Sequence, residues 1–293
     1  MNTFISENTN GRLIELVTEA LEKAWRTYLA RLKRCRAEFS NDAVHDLRVA
    51  TRRIMAVVQL INSIAPRPRL KKLIRAFKKQ LDEFDDLRDT QVILAEISET
   101  LQELPQLQGF QKQQQDVQEK ILKQLRKKIR KFQTNEIKRQ IRKCQDTLKN
   151  ESADGFGMRI LQAVDDADLT TKQRLQLVDR AQPSTIHRVR VKFKSFRYMV
   201  EVVHPLLDDF PAEQLKWMND YQSLMGEFQD AEVFLQILND YAESASLIDL
   251  EPVRRYYERR HADSITAYME DMNQLQSFWR AAPDQPVPWE KSI

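Results

Sequence analysis

Glycine is nearly missing. Five in 293 residues are too few for the turns that strand-rich folds need, and they leave little material for the glycine-rich loops that cradle phosphates in nucleotide enzymes. Neither G-x-x-x-x-G-K-[ST] nor G-x-G-x-x-G occurs. Cysteine is scarcer still. Cys35 and Cys144 stand far apart without metal-type spacing, which fits free thiols in a reducing compartment. No apolar run approaches the roughly 18 residues of a membrane span. The N-terminal "MNTFISENTNGR" shows no basic region followed by an apolar stretch. A cytoplasmic protein that spans no membrane is expected. The four histidines, His45, His187, His204 and His261, are too scattered for a metal cluster, and H-E-x-x-H is absent.

What fills the chain instead is Leu, Gln, Lys, Arg and Glu, all good helix formers. With 42% apolar residues a sizeable core is possible, and an all-α fold is expected. Net charge is only +4, but it is unevenly placed. Residues 67–79 ("RPRLKKLIRAFKK") hold seven cations and no acid; residues 120–143 hold eleven against Glu136. Local cationic surfaces on a near-neutral protein suggest a directed polyanion site, with solvated helix faces as the plain alternative.

Helical periodicity predicts four helices before the linker "SADGFG" and four after it: about 11–38, from an Asn41 or Asp42 cap to 64, 69–103, and from Gly109 to about Asn150; then from near Gly157, 184–204, 212–243 and 251–281. The proline-rich end reads as extended. The divisions expected are 1–152, 153–282 and a tail over 283–293.

The second half repeats the first. "VHDLRVATRRIMA" (44–56) and "IHRVRVKFKSFRY" (186–198) place His45 against His187, Arg48 against Arg190, Val49 against Val191 and Arg52 against Lys194. "LRDTQVIL" (87–94) matches "FQDAEVFL" (228–235), and Arg75 matches Lys216 in the same register. Two landmarks in the same order point to a duplicated four-helix unit.

At 100° per residue, His45, Arg48 and Arg52 fall within about 60° of one another on their helix. His187, Arg190, Lys194 and Arg197 form the corresponding stripe over about 15 Å of axis. Like charges at these spacings repel by a few tenths of a kcal/mol per pair, so either acids from neighbouring helices neutralise both stripes or a ligand does. Guanidinium forks match phosphate oxygens and lysine adds point charge, so a row of them suits an extended polyphosphate backbone better than one nucleotide.

The two patterns "HDLRVATRR" and "HRVRVKFKSFR", with "LDEFDDLRDTQVIL" and "LKWMNDYQSLMGEFQDAEVFL", resemble the CHAD domain family, the conserved histidine α-helical domain. The resemblance covers nearly the whole chain. It implies two pseudo-symmetric antiparallel four-helix bundles flanking a basic groove or pore. It also implies binding of inorganic polyphosphate, often at polyphosphate granules. The family's basic positions fall on His45, Arg48, Arg52, His187, Arg190, Lys194 and Arg197, and on Arg75 and Lys216; Lys71 and Lys78 share a flank with Arg75. Met55 stands where the first repeat would carry an arginine, Gln229 stands in the second repeat where Arg88 keeps the family's basic residue in the first, and Asp85 replaces the glycine kept at Gly226.

Catalysis is not expected. The E-x-E-x-K motif of triphosphate-tunnel enzymes is absent, and phosphoryl transfer needs a metal, or a nucleophile with its base. The pairs Asp85–Asp86, Asp165–Asp166 and Asp208–Asp209 read as helix-start or solvated charges rather than metal carboxylates. Asp89 and Asp230, repeated like the histidines, read as partners holding basic residues across the bundle. No cofactor is expected. Two alternatives stand beside polyphosphate binding. A nucleic-acid-binding protein would use aromatic stacking residues, whereas Phe77, Phe84, Phe193, Phe196, Trp217 and Phe228 sit at core-like positions. A structural scaffold would turn the stripes into internal salt-bridge ladders.

Overall fold

The computed structural model describes residues 10–152, 154–207, 209–244, 249–282 and 284–288. Among them the regular structure is helical, with one isolated Asp179–Gln182 bridge. Asp208 and most of the extreme tail lie outside the described residues. No described helix is long and apolar enough to cross a membrane.

The order is α1 (Asn10–Glu38), α2 (Asn41–Ile64), α3 (Pro68–Asp82), α4 (Asp85–Thr100), α5 (Gln108–Lys131), α6 (Asn135–Lys149), α7 (Phe156–Leu175), α8 (Ser184–Val203), α9 (Gln214–Ser244) and α10 (Glu251–Asp271). Local chemistry sets the ends. Phe39 takes a left-handed φ of 48° after α1. Ser40, rather than Asn41 or Asp42, caps α2: its Oγ accepts from the Ala43 N–H at 3.2 Å. Pro68 opens α3, where a missing N–H costs nothing.

Two expected helices are each broken in two. The one predicted over 69–103 stops at Asp82 and restarts at Asp85. Phe84 turns into the core at 1% exposure, and the new first turn gains Asp85 and Asp86, which suit a helix N-terminus. The helix predicted from Gly109 to Asn150 breaks at 132–134, where Phe132 is extended. Arg36 of α1 donates to the Ile129 and Phe132 carbonyls, satisfying groups left open at the end of α5. In the second half α9 runs unbroken over 31 residues, about 46 Å.

The last expected helix is shorter than 251–281. After Asp271 the chain tightens into a 3-10 turn, Met272–Ser277, and then folds back. Asp165 is neither the helix-start nor the solvated charge expected: it is buried within α7, and Trp279 Nε1 and Arg280 Nε both donate to its Oδ1 at 2.8 Å, so this carboxylate holds the chain end against α7. Cys35 and Cys144 are free, as expected, and both are buried.

Apolar residues form two cores, and each draws on both repeats. The larger takes one face of α1, α2, α3, α7 and α8 with Met218, Tyr221, Met225 and Phe228 of α9. The smaller packs Ile93 and Ile97 of α4 and Phe110 of α5 against Phe234, Leu238, Val253 and Tyr257 of α9 and α10. Along α4, Leu87 belongs to the first core and Ile93 to the second; along α9, Phe228 belongs to the first and Phe234 to the second. Arg88, Asp89, Gln229 and Asp230 therefore sit where one core ends and the other begins.

Candidate anion site at the meeting of the repeats

Arg88 anchors the junction. Its Nη2 donates to Asp230 Oδ2 at 3.0 Å and its Nη1 lies 2.9 Å from Asp230 Oδ1, a two-point pair across the repeats. Nη1 also donates to Asp89 Oδ1 at 3.4 Å. One guanidinium thus holds the two aspartates that the sequence repeats. Burial opposes its charge, but the bond to Asp230 and the nearby carboxylates outweigh that and hold its pKa up. Burial pushes the Asp89 carboxyl up against the pull of Arg88.

Arg48 on α2 is 5% exposed. Its Nη1 donates to the Leu81 carbonyl at 3.2 Å and its Nη2 to Asp85 Oδ1 at 3.0 Å. The break after α3 supplies both acceptors.

Arg190, its counterpart on α8, is differently placed. Gly226 occupies the position equivalent to Asp85, and a Cβ built there would lie 3.6 Å from Arg190 Nη2. No carboxylate is present at that position to take the guanidinium. Arg190 Nε is buried without a hydrogen-bond partner among the described residues. Burial lowers its pKa, Asp230 opposes this, and Arg88 and Arg52 add to it.

Lys194 completes the cluster. It is half-buried, and its ammonium form is disfavoured first by burial and then by Arg190, Arg52, Arg88 and Arg48, which bring its pKa down to about 6. Arg48, Arg52, Arg88, Arg190 and Lys194 thus come from three helices and both repeats into mutual electrostatic range. Asp85, Asp89 and Asp230 compensate them only in part. Arg52 and Lys194 make no ion pair among the described residues.

The remaining predicted positions have other surroundings. His45 is exposed. His187 pairs through Nδ1 with Gln229 Oε1, and Gln229 Nε2 donates on to Glu232 at 3.3 Å. Arg197 is engaged away from the cluster: Nε donates to Gln222 at 3.0 Å, Nη1 to Glu201 at 2.7 Å, and its guanidinium lies 4.7 Å from the Tyr198 ring centre. Lys71, Arg75 and Lys78 are exposed on α3, with Arg75 Nε donating to the Lys71 carbonyl. Lys216 is exposed and paired with Asp220 at 2.6 Å. No hydrogen bond or ion pair among the described residues ties these four to the cluster.

Sequence reasoning left Arg88 out of the candidate site, although the "LRDTQVIL" repeat marked its position. A cavity of about 360 Å³ opens beyond Asp230, between α4, α9 and α10. Its rim carries Glu96, Glu227, Asp230 and Asp263 against Arg260, a balance that repels a polyanion.

Fold and site together define an all-helical protein with a cation cluster assembled from two repeats. The CHAD domain family model matches residues 19–239. The chain belongs to the CHAD domain family. The crystal structure of the CHAD domain from the plant Ricinus communis is similar, with a TM-score of 0.66 and 16% identity, and the match covers 91% of each chain. At that identity the likeness shows the fold alone. No curated protein matches.

Proposed function

We propose that this protein is a non-catalytic binding module for linear inorganic polyphosphate. In this reading the repeats, 1–152 and 153–282, act as two pseudo-symmetric four-helix bundles flanking a basic groove; α3 with α4, and α5 with α6, each stand for one helix of the unit. One observation carries the reading: four guanidiniums and the Lys194 amine converge from both repeats, and Arg52, Arg190 and Lys194 have no ion-pair partner among the described residues. Holding them together is unfavourable in the free protein, and a chain of phosphates relieves it with charge-assisted hydrogen bonds. Membership of a family linked to polyphosphate binding points the same way.

The ladder alternative has specific support, since Arg48, Arg88 and Arg197 are all paired with carboxylates. It accounts for those three residues and leaves Arg190 and Lys194 unexplained. Nucleic acid is disfavoured because most of the large aromatics near the stripes are buried: Phe77, Phe84, Phe193, Phe196 and Phe228 are each at most 1% exposed, whereas Trp217, expected at a core-like position, is exposed at 54%. The test is competition: labelled polyphosphate is bound to the protein and challenged with duplex and single-stranded DNA at equal phosphate concentration. Displacement only by unlabelled polyphosphate is expected; equal displacement by DNA would support a general polyanion binder instead.

A further inference from the structure

A second cavity, of about 480 Å³, lies where α1 and α2 of the first repeat meet α8 and the start of α9 in the second. It shares no lining residue with the cation cluster. Small side chains leave it open. Ala20 and Ala24 stand one turn apart on α1, Ala50 lines it from α2, and Val57, Val202 and Leu215 complete an aliphatic wall. Interiors are otherwise close-packed, so three alanines together leave a gap that longer side chains would fill. Its size falls within the range of small-molecule sites.

The charged groups stand at its edge. Lys23 is exposed and makes no ion pair among the described residues. Arg53 comes no closer than 3.8 Å to Glu201, and its side chain is 60% exposed. Glu201 is the one carboxylate lining the cavity. Its charge is already taken by Arg197 Nη1 at 2.7 Å. His204 donates from Nδ1 to the Glu201 carbonyl at 2.9 Å and brings no negative charge. An aliphatic wall with two under-compensated cations at the rim is the complement of an amphipathic anion. A guanidinium fork takes both oxygens of a carboxylate, and a lysine beside it adds charge. At about 30 Å³ for each water-sized group, 480 Å³ holds about sixteen of them. A single straight chain of about ten carbons fits that space. Tyr198 is the only large aromatic in the lining, which favours an alkyl chain over a ring system.

We propose that this cavity binds a medium-chain fatty carboxylate, with the tail along Ala20, Ala24, Ala50 and Val57 and the head group on Arg53 and Lys23. The proposal does not rest on the polyphosphate function.

The test is titration calorimetry on the full chain with hexanoate, octanoate and decanoate below their micelle concentrations, and no polyphosphate present. A single site is expected, tightening about three- to four-fold with each methylene buried. Octanoate should bind about ten-fold tighter than 1-octanol, as a charge-assisted contact gives, and octylammonium should bind more weakly than either. Arg53→Gln should remove most of the carboxylate's advantage and leave 1-octanol unchanged. Ala24→Leu keeps helix propensity and puts a leucine into the gap; it should abolish binding of both with no loss of melting temperature. If that variant fails to fold, Arg53→Gln at its exposed position and the chain-length series still decide. An affinity that ignores chain length overturns the proposal. So does octylammonium binding as tightly as octanoate, or a folded Ala24→Leu variant that binds octanoate like the native chain.

Discussion

Arg48 Nη2 donates to Asp85 Oδ1 at 3.0 Å, whereas its repeat counterpart Arg190 has Gly226 at the corresponding position. The duplication has therefore been broken at its most basic position. One guanidinium is neutralised by its own repeat, and the other keeps its charge and a buried, partnerless Nε. If the unpaired half provides the affinity, the two halves respond differently to the same kind of change.

Gly226→Asp should copy the first repeat into the second. A Cβ there meets Arg190 at 3.6 Å, an ordinary contact, so the substitution is sterically tolerated. The new carboxylate should pair with Arg190 and weaken polyphosphate binding by about 1–2 kcal/mol, the size of a charge-assisted hydrogen bond. Asp85→Asn should act in the opposite direction by freeing Arg48. Titration calorimetry of both variants, with circular dichroism as a fold check, reads the signs directly.

The Arg88–Asp230 pair should act mainly on stability. It joins helices of different repeats where the two cores meet, and its side chains are about a third exposed at 32% and 29%. Solvent screening therefore limits its coupling to about 1 kcal/mol. A double-mutant cycle with Arg88→Gln and Asp230→Asn, followed by urea denaturation, measures that coupling.

Polyphosphate binding should take up a proton at Lys194. In the free protein its pKa is held near 6, first by burial and then by the arginines. A polyanion supplies negative charge and raises it. Above pH 6 the free amine is mostly neutral and must gain a proton as the ligand binds, so affinity should fall as pH rises from 6 towards 8. The slope should approach one proton, and calorimetry in buffers of different ionisation enthalpy counts it. The Lys194→Gln variant should lose this dependence; a native profile that stays flat would remove Lys194 from the site.

Lys194→Met should separate stability from function. The methionine keeps most of the packing volume and removes an amine surrounded by four guanidiniums. A higher melting temperature with weaker polyphosphate binding is expected, the pattern of a site kept at some cost to the fold. Differential scanning calorimetry with and without polyphosphate checks both halves of the statement.

Much of the fold and of the cation cluster is legible in the amino-acid sequence. Periodicity locates the helices, and the two histidine-led stripes locate Arg48, Arg52, Arg190 and Lys194. The breaks at 83–84 and 132–134 are not legible, because "LDEFDD" and "KFQTN" interrupt no apolar pattern. They depend on Phe84 finding a core and on Arg36 reaching carbonyls from a distant helix. Arg197 shares the stripe's register, yet Glu201 one turn later and Gln222 on α9 engage it. The flank of Lys71, Arg75 and Lys78 satisfies the same spacing rule and is exposed. Spacing within one helix cannot reveal which face looks towards the other repeat. Arg88 shows the reverse case: its principal partner lies 142 positions away, and the clues are the repeated aspartate and the basic residue that the family resemblance places at Arg88.

The most direct measurement is a calorimetric titration of long-chain polyphosphate into the native protein and into an Arg52→Gln/Arg190→Gln/Lys194→Gln variant, each at low and moderate salt. Binding by the native chain should weaken steeply with salt, as neutralised phosphates release their counterions, while the variant, still helical, shows little heat at either salt. Native binding that ignores salt, or a variant that binds as tightly as the native protein, would contradict a polyphosphate site at the meeting of the repeats.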